Sequence, residues 1–151
     1  MEFKGTLLVV EDIEKAKVFY RDVLDQKVTI DLGDHVALEN GLALQANYAQ
    51  VVGQPMNTVY GANNFQIYFE VQDIVKYVNR IKEDGSIHFV HDVRAYPWGQ
   101  QAFRICDTDK NVIEIAEDMN VVIKRYLDKG LSVEEVSEKT MYPVEYIKTI
   151  M

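Results

Sequence analysis

The sequence predicts an α+β protein in which a strand–helix–three-strand unit occurs twice and a helical tail follows. Three observations carry this. Asp12 and Asp73 each follow an apolar run and precede an apolar stripe at helical spacing. The two runs end alike, in Val9-Val10-Glu11-Asp12 and Glu70-Val71-Gln72-Asp73. Each predicted helix is followed by short alternating segments that turn signals separate.

The elements follow in order. Lys4 to Val10 is read as a strand. Asp12 caps a helix whose apolar side is Ile13, Ala16, Tyr20, Val23 and Leu24. Lys27 to Leu32, His35 to Glu39 and Leu42 to Asn47 are strands, turned at Gly33-Asp34 and at Asn40-Gly41. Residues 48–63 carry Gly53, Pro55, Asn57, Gly61 and Asn63 and are read as a loop or linker. The unit restarts with the strand Phe65 to Val71. Asp73 caps a helix presenting Ile74, Tyr77, Val78 and Ile81, which Gly85 ends. Ile87 to Val90 is the next strand. A longer connection, Asp92 to Gly99, holds the aromatic cluster Tyr96, Pro97 and Trp98.

The last pair of strands is the most informative. Gln101 to Cys106 puts Phe103 and Ile105 on one face, and Ala102 and Arg104 on the other. Asn111 to Glu117 puts Ile113 and Ile115 on one face, and Val112, Glu114 and Ala116 on the other. Asp107 to Lys110 supplies the turn. Arg104 and Glu114 then share a face. They form a cross-strand ion pair, or they serve a ligand. Alternation sets Gln66, Tyr68 and Glu70 on one face of the neighbouring strand, and Trp98 and Tyr96 are placed to close over it. Tyr68 and Trp98 suit stacking on a planar ligand, and Arg104 suits a carboxylate.

Composition sets bounds. The 151 residues make one domain, or one with a small appendage. A net charge of −8 argues against non-specific nucleic-acid binding. Cys106 is the single cysteine, so there is no disulfide framework and no cysteine zinc site; it reads as a small buried residue. No segment is apolar enough to span a membrane and no signal-peptide pattern opens the chain, so a cytoplasmic location is expected. His35, His88 and His91 lie in or beside strands and read as exposed or hydrogen-bonded side chains. His91, just before the aromatic loop, is the best candidate of the three for a ligand or base.

After Asp118 come a stripe of Val121, Val122, Ile123, Tyr126 and Leu127 stopped by Gly130, a capping box at Ser132 and Glu135, and a last helix opened by Pro143. Residues 131–151 look like a helix-turn-helix unit. Residues 119–151 hold Lys124, Arg125, Lys129, Lys139 and Lys148 against Asp128, Glu134, Glu135, Glu138 and Glu145, so they are neutral. A DNA-reading helix needs a basic footprint, and a helical appendage packed on the body or on a partner is favoured.

The repeat, and the run PWGQQAFRICDTDKNVIEIAED above all, resembles the vicinal oxygen chelate superfamily, also called the glyoxalase/bleomycin-resistance/dioxygenase superfamily. The resemblance implies two βαβββ modules forming a cupped eight-stranded mixed sheet, with the site in the cup and often a divalent metal there. It implies a domain at 1–118, with module one at 1–48, a linker at 49–63 and module two at 64–118. The tail at 119–151 lies outside it. Metal-using relatives take ligands from the first and last strands of each module. The last-strand position of module two matches Glu114. Aligning the Asn40-Gly41 turn on Asp109-Lys110 sets Gln45 opposite it. The first-strand positions are Gln66 and Gly5. One carboxylate, two amides and a gap make a degenerate metal set, so the cofactor expectation is none, or a weakly bound divalent metal at Glu114, Gln66 and Gln45. Glu114 is the candidate catalytic base or metal ligand, and Gln66, Tyr68, Trp98, Arg104 and Gln45 the substrate-binding residues.

Three functions follow from the resemblance. The first is a small-molecule enzyme of lyase, isomerase or dioxygenase type, glyoxalase I included. The second is a metal-free binding or resistance protein. The third is a ligand-sensing regulator that uses the C-terminal helices. The expected partners are a small-molecule ligand and a second copy in a homodimer, without nucleic acid or membrane.

Overall fold

The structure, a computed structural model, describes residues 1–151. Asp12 and Asp73 act as the caps their positions predict. The Asp12 carboxylate accepts from the Glu14 and Lys15 amides at 3.1 and 3.0 Å, and Asp73 from Lys76 at 2.9 Å. The first unit runs β1 (Thr6–Val9), α1 (Ile13–Asp22), β2 (Val28–Asp31), β3 (His35–Leu38) and β4 (Leu42–Gln45). The second runs β5 (Gln66–Val71), α3 (Ile74–Glu83), β6 (Phe89–Ala95), β7 (Gln101–Cys106) and β8 (Val112–Glu117). Between them lies a short helix, α2 (Tyr48–Val52), and after them α4 (Met119–Asp128), α5 (Val133–Thr140) and α6 (Val144–Lys148).

The fold is α+β, and the eight strands hydrogen-bond as two mixed sheets of four, ordered β1-β4-β3-β2 and β5-β8-β7-β6. In each, the helix carries the chain to the far edge of the sheet and the three-strand meander returns it beside the first strand, so β1/β4 and β5/β8 are parallel and the other pairs antiparallel. The chain divides into two compact units, residues 1–65 with 107–111, and residues 66–106 with 112–151. The tail helices thus belong to the same unit as the second module.

Three segments differ from the sequence reading. Residues 48–52 of the expected linker are helical, between Asn47 and Gly53, both left-handed. The first half of the connection drawn at Asp92 to Gly99 is strand: β6 continues to Ala95, paired as Arg94 with Ala102 and Ala95 with Gln101. Register shifts between Phe89 and Arg94 absorb the extra residues and mask the alternation. Helix α3 ends at Glu83 with an extended Asp84, before Gly85.

In the first unit Ala16, Phe19 and Tyr20 of α1 are buried, as are Leu8, Val36 and Leu44 of the sheet. This unit also holds the Asp107–Asn111 turn. The Tyr20 hydroxyl donates to Asp107 at 2.8 Å, Asp107 accepts the Asp109 and Asn111 amides, and Asp109 accepts the Glu11 amide at 2.8 Å. Burial, helped by the charges of Asp107 and Glu11, pushes the Asp109 carboxyl above its ordinary 3.8 despite the amide it accepts. A raised folded-state pKa favours the fold while the group is protonated, and this stability is lost as pH rises through that raised value. Asp109→Asn keeps an acceptor and cannot ionise. Its melting temperature relative to wild type is therefore expected to improve between about pH 4 and about pH 7. A difference that stays constant over that range would contradict this.

In the second unit α3 packs on β7 and β8. Its Ile74, Val78 and Ile81 are buried, and so are Phe103, Ile105, Ile113 and Ile115 of the strands. Alternation therefore sends Arg104 and Glu114 to the opposite face, as the sequence predicts. The tail has its own core, in which Ile123, Val136 and Ile147 are fully buried and Tyr126, Leu127, Tyr142 and Ile150 pack against them. Its capping box at Ser132 and Glu135 is formed, and Gly130 is left-handed, as a helix stop requires.

Candidate functional site

The ladder of the second sheet lines up one row of side chains across four strands: Tyr68 on β5, Glu114 on β8, Arg104 on β7 and His91 on β6. The next row is Glu70, Ala116, Ala102 and Arg94. The two alanines leave that part of the face low, and larger groups stand around it.

Arg104 is the hub. Its Nε donates to the Gln66 carbonyl oxygen at 3.1 Å, one Nη to His91 Nε2 at 2.9 Å and to the Tyr96 hydroxyl, and the other to Glu114. The Glu114 side chain is 10% exposed and that of Arg104 24%. Gln66 also donates its amide to Glu114 at 2.9 Å. His91 Nδ1 lies 2.8 Å from the Asp92 carbonyl, which fixes that nitrogen as donor and leaves Nε2 to accept from Arg104. The ion pair proposed from alternation is thus present, and the amide of Gln66 braces it on both sides.

Beside this hub stand the aromatic residues of the β6–β7 connection. Tyr96 and Trp98 stack with ring centres 4.7 Å apart. Trp98 Nε1 donates to Gln100 at 2.9 Å, and the Gln100 amide donates to the Tyr68 hydroxyl at 3.0 Å and to the Glu117 carbonyl at 2.8 Å. Tyr68 in turn donates to Glu70 at 2.7 Å. Burial first, and then the bond to Glu70, push the Tyr68 hydroxyl up to about 12, so it stays protonated at neutral pH.

Gln100 was not singled out by sequence, nor were the tail residues that complete a cavity of about 280 Å³. It is lined by the aromatic residues Tyr68, Trp98 and Tyr142, by Met119 and Met141, and by Gln100 and Thr140. The only advance signal for Gln100 is its place after the aromatic loop. Helix α4 clamps that loop. Arg125 pairs with buried Glu117 at 2.6 Å and donates to the Gly99 carbonyl at 2.8 Å. Glu117 holds the Arg125 guanidinium above its ordinary range. Gly99 sits at φ +86, and a Cβ there would lie 1.9 Å from the Tyr126 hydroxyl oxygen, so only glycine allows this approach.

Of the residues singled out by sequence, Gln66, Tyr68, Trp98, Arg104 and Glu114 belong to this one assembly. Gln45 lies in the first unit. It is 3% exposed, its amide donates to the Asp34 and Ala46 carbonyls, and its oxygen lies 2.9 Å from His35 Nδ1. Its repeat position also shifts. Tyr68 pairs with Glu114, and the matching Leu7 pairs with Ala43, so Ala43 is the internal counterpart of Glu114. Turn alignment missed this because five residues join β7 to β8 and three join β3 to β4.

The family's metal positions fail a test of fit. A Cβ on Gly5 would lie 2.0 Å from the Gly41 carbonyl oxygen, so no donor can be placed there. Gln45 is fully engaged, and Glu114 is held by Arg104 and Gln66. No cluster of three or more His, Cys, Asp or Glu side chains is arranged to hold a metal ion. The donor set does not suit a transition metal, which favours imidazole, thiolate and free carboxylate.

Comparison with known proteins agrees with this architecture. A structure of a protein of unknown function from Agrobacterium tumefaciens str. C58 is 30% identical, with a TM-score of 0.71, over 78% of this chain and 94% of that one. A lactoylglutathione lyase from Agrobacterium tumefaciens is 24% identical with a TM-score of 0.59, over 78% of this chain and 94% of that one. A glyoxalase-related enzyme from Fulvimarina pelagi is 17% identical with a TM-score of 0.64, over 78% of this chain and 88% of that one. At those identities the two enzymes share the fold alone. No curated protein matches. The model of the glyoxalase-like domain matches residues 3–120, which leaves the C-terminal helices beyond it. The chain belongs to the glyoxalase-like domain family, within the vicinal oxygen chelate superfamily.

Proposed function

We propose that this protein binds a small molecule in the cavity that Tyr68 and Trp98 line, beside the Glu114–Arg104 pair of the second sheet, and does so without a family-type metal. The observation that carries the reading is the commitment of Glu114. A lyase or isomerase of metal-dependent type needs that carboxylate as ligand or base. Here it is buried against Arg104 and Gln66, and Arg104 is itself fixed by His91 and Tyr96. The charges cancel, and what remains open beside them is a cavity walled by aromatic rings. Such a cavity, with a few fixed polar groups, is a small-ligand site.

Trp98 is the only tryptophan, so its indole N–H resonance reports on this site alone. In a screen of aromatic fragments, the binders are expected to shift that resonance, and Trp98→Phe is expected to weaken them about tenfold. Elemental analysis of the desalted protein is expected to find well under one equivalent of nickel or zinc. Binders that leave Trp98 unmoved, or a full equivalent of metal that Glu114→Gln removes, would overturn the proposal.

A further inference from the structure

We infer that the tail-walled cavity selects a small organic cation, an aromatic or alkylated ammonium, in place of the anion that Arg104 suggests. The inference rests on the proposed site and adds the class of its ligand.

The side-chain donors of the cavity wall, the Tyr142 hydroxyl excepted, are spent. Both hydrogens of the Gln100 amide go to the Tyr68 hydroxyl and the Glu117 carbonyl. Trp98 gives its N–H to Gln100, Tyr68 its hydroxyl to Glu70, and Thr140 its hydroxyl to the Val136 carbonyl at 2.7 Å. Apart from the Tyr142 hydroxyl, the wall offers a ligand π faces, thioethers and lone pairs. An anion or a carbonyl needs donors, and an ammonium with methyl or aryl groups does not.

The charges point the same way. No lysine or arginine lines the cavity. Arg104 is held by Glu114, and Arg125 by Glu117. Lys139, next in sequence to Thr140, sets its ammonium 5.3 Å from the Tyr126 ring centre, and that ring is not part of the wall. Two carboxylates adjoin the cavity without either arginine. Glu70 accepts from Tyr68, and Asp118, which precedes Met119, accepts from Gln72 and from the Asn120 amide. Burial raises the Tyr142 hydroxyl, and the charges of Glu70 and Asp118 add to the effect. Three aromatic residues with two carboxylates beside them and no lysine or arginine among them suit a cation.

The tail makes the site. Thr140, Met141 and Tyr142 lie outside the matched family domain, and Met141 takes a left-handed φ of 63 while staying exposed. That conformation is the C-cap of α5, with the Met141 amide on the Ser137 carbonyl at 2.9 Å, and this helix stop sets Met141 and Tyr142 at the cavity rim.

The test titrates the full-length protein with benzyltrimethylammonium, benzyl alcohol and phenylacetate, reading Trp98 emission. The cation is expected to give a saturable change and to bind at least about tenfold more tightly than phenylacetate. Glu70→Gln is expected to weaken it about threefold to tenfold, and Tyr142→Leu, which keeps an apolar side chain and removes the ring, about tenfold. Phenylacetate or benzyl alcohol binding as tightly as the cation would overturn the ligand class and leave the site reading standing. Cation binding that neither variant changes would also overturn it. If no probe moves Trp98, the class and the site reading fall together.

Discussion

A chain cut after Asp118 is expected to be insoluble, or to melt at least about 10 °C below the full-length protein. The family domain ends near this point, yet the second unit does not. Val122 and Ile123 are fully buried, and Met119 nearly so. Truncation also removes Arg125 and leaves Glu117, 5% exposed, with its charge unpaired. Losing one partner of a buried pair costs about 3–5 kcal/mol. With Arg125 partly in water the lower end applies, about 3 kcal/mol. Arg125→Met isolates that term, and about 2–3 kcal/mol is expected from denaturant unfolding. It should also loosen the Trp98 loop, because the same guanidinium holds the Gly99 carbonyl. A truncated chain as soluble and as stable as the full chain would refute the packing role of the tail.

The second large effect is at Glu114. Glu114→Ala leaves Arg104 among His91, Tyr96 and Gln66 with no opposite charge, and is expected to cost about 2–3 kcal/mol. That is under the usual cost for a fully buried pair, since Arg104 keeps some exposure. Replacing both partners, as Arg104→Met with Glu114→Leu, is expected to recover most of the loss, because no charge is stranded. Glu114→Gln keeps the shape and the bond to Gln66, and should weaken fragment binding by shifting Arg104. If Glu114→Ala and the double variant are equally unstable, the cost is one of packing and the ion pair is not the hub of this face.

Much of this was legible in the sequence, for local reasons. Asp12, Asp73 and the Ser132–Glu135 box act within one helical turn, so their roles can be read from neighbours alone. The alternation of Phe103, Ile105, Ile113 and Ile115 fixed which face Arg104 and Glu114 share, because a strand that buries one face allows no other register. What was not legible depended on counting through loops or on tertiary packing. A two-residue difference between hairpin connections moved the counterpart of Glu114 from Gln45 to Ala43. Bulges hid the length of β6. Tyr142 lies more than seventy residues beyond Tyr68 in the chain, and no local pattern says that they wall one cavity.

The most direct test of the central claim is a crystal structure of the full-length protein soaked with the aromatic fragments that shift Trp98. The account predicts fragment density against Tyr68, Trp98 and Tyr142, with Glu114 still bound to Arg104 and no metal beside it. Fragments bound elsewhere, or a metal ion on Glu114 with Arg104 displaced, would contradict it.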